Sequence, residues 1–149
     1  MSSIYIIGIG SPYGDDQLGW KVIDQLKQSL PSDSSVNLLY CETPATDLLT
    51  ALKQSNFAIL IDAIHADLPI GKVCSWSQLS LLPETSLSSH GMGLSTLLQL
   101  AENLGQMPEK WVVCGIVIDP ENKALHGVLS PEVLESMPVL LDYIQQQVV

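Results

Sequence analysis

Three runs in this chain are apolar almost throughout: IYIIGI at 4–9, FAILIDAI at 57–64 and WVVCGIVI at 111–118. A strand with one face in water alternates apolar and polar residues. Runs without that alternation belong to strands covered on both faces. Each run is short and rich in β-branched residues, which argues for strand over buried helix. Between them lie segments of helical period. Leu18, Val22, Ile23, Leu26 and Leu30 mark one apolar stripe over 18–30, and Pro31 stops it. Helices are also expected over 45–54, led by Thr43 or Thr46, from near His90 to Gly105, and over 131–147 with Pro131 in the first turn.

Two further strands are expected at 35–41 and 71–77, with a Ser-rich loop at 78–88. The order βαβαββαβα implies an α/β fold, a mostly parallel sheet with helices on both faces. The strand at 71–77 follows 57–64 too closely for a crossover, so it is expected to run antiparallel. At 149 residues the chain fits one domain, 1–149.

The net charge is −10, with six lysines and no arginine. Phosphate contacts need clustered basic side chains, so neither nucleic acid nor an anionic membrane surface is an expected partner. No apolar run is long enough to span a bilayer. The first residues carry no basic segment and enter a strand pattern directly, so no secretory leader is expected and a cytoplasmic setting follows. Cys41, Cys74 and Cys114 are odd in number and widely spaced, which suits reduced thiols and not a zinc-cysteine site.

In open α/β sheets the site lies beyond the carboxyl ends of the strands. Asp15 and Asp16 follow the first strand, Asp62 sits near the end of the third, and His90 stands before the helix that ends at Gly105. Each has a structural explanation. Asp62 could accept backbone hydrogen bonds, His90 could cap its helix, and one of the acidic pair could favour the N-terminus of helix 18–30. Together, two carboxylates and an imidazole make a mixed oxygen and nitrogen site for a divalent cation such as nickel or zinc. His65 and Asp67 read as surface loop, and His126 as solvent-facing. Asp119 and Glu121 could line the same face.

The segment GIGSPYG gives GxGxxxG, one residue longer than the dinucleotide fingerprint. Pro12 lacks an N–H, and the acidic pair would repel a pyrophosphate. Neither HExxH, GxSxG nor GxxxxGK[ST] occurs. No activated serine or cysteine stands out, so an acyl-enzyme is not expected.

With these residues in order, the chain resembles the nickel-iron hydrogenase maturation endopeptidases. That family shares a strand, GxGN, a short spacer, an acidic pair, then a small residue and glycine. Here the pattern is Gly8-Ile9-Gly10-Ser11, Asp15-Asp16 and Gly19. ILIDAI supplies Asp62, SSHGMGL supplies His90, and VVCGIVIDPE is similar to the family's last strand and its G-[IV]-x-P-E run. The order and spacing match over nearly the whole chain. Two departures stand out. Ser11 replaces the family's asparagine, and Tyr40-Cys41-Glu42-Thr43 replaces a D-G-G-T turn linked to substrate choice.

The resemblance implies a three-layer sandwich, phosphorylase/hydrolase-like, with a twisted five-stranded sheet. It implies one cut that removes a C-terminal extension from the precursor of the [NiFe]-hydrogenase large subunit. Nickel would arrive already in that substrate, with no permanently bound cofactor. The family's metal-contacting positions map to Asp16, Asp62 and His90, where other members often have Glu at the first. The branch serving cytoplasmic, NAD-linked bidirectional hydrogenases and a monomeric state are further implications. A non-catalytic, metal-sensing chaperone of the large subunit is the alternative.

Overall fold

The computed structural model describes residues 3–31, 35–42, 46–82 and 93–148. Five strands form one sheet: β1 (Ile4–Ile9), β2 (Val36–Cys41), β3 (Phe57–Ile64), β4 (Val73–Trp76) and β5 (Lys110–Val117). Among the described residues four α-helices cover it: α1 (Leu18–Ser29), α2 (Thr46–Gln54), α3 (Leu94–Asn103) and α4 (Pro131–Gln147). The strand order is β2-β1-β3-β5-β4. β1 pairs in parallel with β2 and β3, β3 pairs in parallel with β5, and β4 runs antiparallel on β5. The three-layer α/β sandwich, its element order and the reversed strand are those the sequence predicts.

The apolar runs have the cause inferred for them. All eight residues of β3 are buried. Alternate side chains serve two separate cores. Ile59, Ile61 and Ala63 join Leu18, Val22, Ile23 and Leu26 of α1 and Val133, Leu140 and Ile144 of α4. Ala58 and Leu60 join Leu48 and Leu52 of α2 and Leu94, Leu97 and Leu98 of α3. α1 stops at Ser29 because Leu30, the residue before Pro31, adopts an extended backbone (φ −88°, ψ 143°). α4 runs on through Pro138. The ring removes one helical hydrogen bond, and the carbonyl it frees belongs to Leu134, a half-exposed residue that water can reach.

The strand order creates a crevice. From β1 the chain moves outward to β2, and from β3 it moves the other way, toward β5 and β4. α1 lies on one face of the sheet and α2 on the other. The carboxyl ends of β1 and β3 are therefore a topological switch point, where open α/β sheets bind ligands.

α1 approaches β1 closely because glycines meet there. A Cβ on Gly19 would lie 2.2 Å from the Ile9 carbonyl oxygen, and one on Gly8 would lie 2.3 Å from that of Gly19. Gly105 follows α3 with φ of 68°, as its position predicts, and a Cβ there would meet nothing within 4 Å. These two environments separate by magnitude. Gly19→Ala collides with backbone and should lower stability by about 3 kcal/mol. Gly105→Ala bears only the left-handed backbone cost, about 1 kcal/mol. Urea unfolding of both variants measures the contrast.

Candidate functional site

The acidic pair occupies a 3₁₀ turn, Gly14–Gln17, directly ahead of α1. Its two members have different surroundings. Asp15 is fully buried. Its Oδ1 accepts from Ser130 N (2.7 Å) and Asn122 Nδ2 (2.9 Å), and its Oδ2 accepts from Ser130 Oγ (2.7 Å) and Asp119 N (3.0 Å). All four donors come from the segment between β5 and α4. Asp15 therefore braces that segment and is not a charge in the first turn of α1, which contains no acidic residue.

Backbone bonds extend the seam. Gly14 N donates to Ala124 O, Asp15 N to Asn122 O and His126 N to Pro12 O, while Tyr13 and Leu125 form an antiparallel bridge. Gln17 Nε2 donates to Gly14 O (3.0 Å) and Gly127 O (2.5 Å). The same bonds decide what the glycine loop cannot do. Gly10 N donates to Cys41 O, Ser11 N to Asp16 O and Asp16 N to Tyr13 O. With these amides engaged inside the protein and Pro12 lacking one, the loop offers no nest of N–H groups to a phosphate.

Asp16 faces the other way. Its carboxylate accepts from the hydroxyl of Ser11, the residue at the family's asparagine position. It lines a cavity of about 350 Å³ together with Ser11, Tyr13, His65, Asp119 and Lys123. The cavity lies beyond the ends of β1, β3 and β5. Asp62 is fully buried at the end of β3, where its Oδ1 accepts from Ala63 N at 2.8 Å. It is paired with Gly115 on β5, and a Cβ at Gly115 would lie 1.9 Å from the Asp62 carbonyl oxygen. Asp62 shares the α2 and α3 face of β3 with Ala58 and Leu60. The 3₁₀ turn bearing Asp16 packs on β3. Asp16 and Asp62 thus stand near the carboxyl ends of adjacent strands, and of the two Asp16 lines the cavity while Asp62 does not. His90 lies outside the described residues, as do Thr43 and most of the Ser-rich loop.

His65 departs from the surface-loop expectation. It is the first residue past β3, half-buried, and lines the cavity beside Asp16. Burial pushes its imidazole pKa below 6.5, and the charge of Asp16 opposes that shift without cancelling it. A signal for His65 existed in the sequence: it directly follows a fully apolar strand, at the sheet edge where ligands bind. Asp119 also reaches the cavity, whereas Asp67, Glu121 and His126 are exposed. Cys114 is buried in the core, and burial pushes its thiol up to about 12, which leaves no thiolate there. Among the described residues, no three His, Cys, Asp or Glu side chains are grouped to hold a metal ion.

Two measurements follow from this geometry. Asp15→Ala leaves buried donors without an acceptor and should lower stability by about 3 kcal/mol, a loss that thermal melts detect. Because the folded chain holds the His65 proton less readily than the unfolded chain, that group's contribution to stability is complete above pH 6.5. It declines as pH falls through the window below that value. Melts at pH 7.5 and 5.5 should show this slope in the wild type and a shallower one in His65→Leu.

Similarities to known proteins agree with this architecture. The sequence model of the hydrogenase maturation proteases (HycI) matches residues 20–147, beginning just past the turn that carries Asp16. The hydrogenase expression/formation protein HupD of Thiocapsa roseopersicina is 23% identical over 150 residues, which cover 96% of this chain and 68% of that protein. The hydrogenase maturating endopeptidase HybD from E. coli superposes with a TM-score of 0.78 at 22% identity, over 97% of this chain and 91% of that one. The [NiFe] hydrogenase maturation protease HycI from Thermococcus kodakarensis KOD1 gives 0.73 at 25% identity, over the same shares of the two chains. With the family match extending from α1 through α4, this chain belongs to the hydrogenase maturation protease family.

Proposed function

We propose that this protein is the endopeptidase that removes the C-terminal extension from the nickel-loaded precursor of the [NiFe]-hydrogenase large subunit. The observation that carries this reading is Asp16 in the wall of a cavity at the carboxyl ends of the strands, with buried Asp62 near the end of the adjacent strand, in a member of this protease family. Asp16, Asp62 and His90 form the site that contacts the substrate's nickel. The metal is cargo of the substrate, and the resting protein binds it weakly. An oxygen and nitrogen donor set suits such a borderline divalent ion.

Hydrolysis of a peptide bond needs a polarised carbonyl and an activated water. A carboxylate at the site serves as general base, and buried Cys114 offers no nucleophile. The reaction is then a direct attack by water, in the aspartic-type class, with no acyl-enzyme. The protein acts in the cytoplasm as a monomer, and the large subunit of an NAD-linked bidirectional hydrogenase is its partner. No described helix is long and apolar enough to cross a membrane.

The deciding experiment incubates the purified protein with nickel-loaded and nickel-free precursor and follows the precursor by mass. Loss of a C-terminal peptide from the nickel-loaded form alone is expected. Complex formation without any mass change would favour a metal-sensing chaperone instead. Asp62→Asn and His90→Ala should each slow cleavage by on the order of 100-fold or more. Full activity in both variants would remove these residues from the site.

A further inference from the structure

Ser11 has no part in the mechanism above, yet it holds a residue that does. It is 3% exposed, and its hydroxyl donates to Oδ2 of Asp16, five residues further along the chain. A buried serine can satisfy its hydroxyl on a nearby backbone carbonyl, as Ser55 does on Leu52 O at 2.9 Å. Ser11 goes to a carboxylate instead. A hydrogen bond to an ionised acceptor is roughly twice as strong as one between neutral groups. Both residues line the cavity of about 350 Å³.

The bond acts on a side chain whose main chain is already fixed. Ser11 N donates to Asp16 O (3.0 Å), and Asp16 N donates to Tyr13 O (2.9 Å). What these bonds leave open is the direction of the Asp16 carboxylate, which two side-chain torsions set. Its two oxygens are not equivalent. Oδ1 is closed off from water, so a group in the cavity can meet the carboxylate only through Oδ2, the atom that Ser11 holds. A carboxylate oxygen accepts at two lone-pair sites, so a hydroxyl on Oδ2 does not exclude a cation there.

We infer that Ser11 is a positioning residue whose hydroxyl holds Oδ2 of Asp16 in the place from which that oxygen contacts the nickel carried by the precursor. The nickel in this statement rests on the endopeptidase reading, while the Ser11–Asp16 pair does not. Ser11 then acts through Asp16, and only on precursor that carries the metal.

The test measures calorimetric binding of nickel-loaded and nickel-free precursor to wild type, Ser11→Ala, Asp16→Asn and the double variant, with thermal melts and cleavage assays of each. Ser11→Ala should bind the nickel-loaded form roughly tenfold more weakly, a difference of about 1.4 kcal/mol, and the nickel-free form as wild type does. In the Asp16→Asn background the same change should add no further loss, because two residues that act through one bond are not additive.

Wild-type affinity of Ser11→Ala for the nickel-loaded form would overturn the inference. So would an equal loss for both forms of the precursor, above all with a lower melting temperature, since that is what a purely structural hydroxyl produces. A full tenfold loss persisting in the Asp16→Asn background would also overturn it, because Ser11 would then act on the substrate directly. If wild type prefers the nickel-loaded form but never cuts it, and Ser11→Ala loses that preference, the endopeptidase reading falls and the role of Ser11 stands. If wild type cuts and Ser11→Ala binds and cuts equally well, the reverse holds. A wild type that binds both forms alike would overturn the nickel contact and the role of Ser11 together.

Discussion

The carboxylate of Asp15 holds the functional end of this molecule together. Its four hydrogen bonds reach two backbone amides, a hydroxyl and a side-chain amide, all from the stretch that joins β5 to α4. A buried carboxylate is costly unless its oxygens are satisfied, and here each accepts two bonds. The consequence is mechanical. The turn after β1 and the segment after β5 are tied together, and between them they supply Asp16, Asp119 and Lys123 to the cavity wall. The site's precision comes from a neighbour of its carboxylate, one residue earlier in the chain.

The sheet supplies the second constraint. β1 and β3 are adjacent, and the chain leaves them in opposite directions, so their carboxyl ends bound a crevice. Gly8 and Gly19 bring α1 tightly onto β1, and Gly115 leaves β5 free to approach the backbone of Asp62. The glycines that look like a phosphate cradle in the sequence are instead points where main chains meet. Their amides are engaged within the protein, so the acidic pair, not the glycines, sets the character of the loop.

Much of the architecture was legible beforehand because it depends on local pattern. The unbroken apolar runs could only be strands covered on both faces, and β3 is buried at every position. The stripe of Leu18, Val22, Ile23 and Leu26 faces one core as its spacing requires. Proximity in sequence also fixed β4 as antiparallel, since too few residues separate it from β3 for a crossover. Strand-end position alone drew attention to Asp62 and to the pair Asp15 and Asp16, without separating the two members of the pair. His65 carried one signal, its place directly after a fully apolar strand, but its half-burial depends on the chain packed around the cavity. The helix expected over 131–147 does continue through Pro138, since tertiary packing of a helix face outweighs a local breaker.

By itself, the sequence determined the order of the elements and the mostly parallel sheet, because hydrophobic period is a property of neighbouring residues. Tertiary structure alone decided which of two adjacent aspartates became a brace and which became a wall of the cavity. Asp15 and Asp16 have the same side chain. They differ only in what lies opposite, and for Asp15 that is Ser130, more than a hundred residues away in the chain and in hydrogen-bond contact in space.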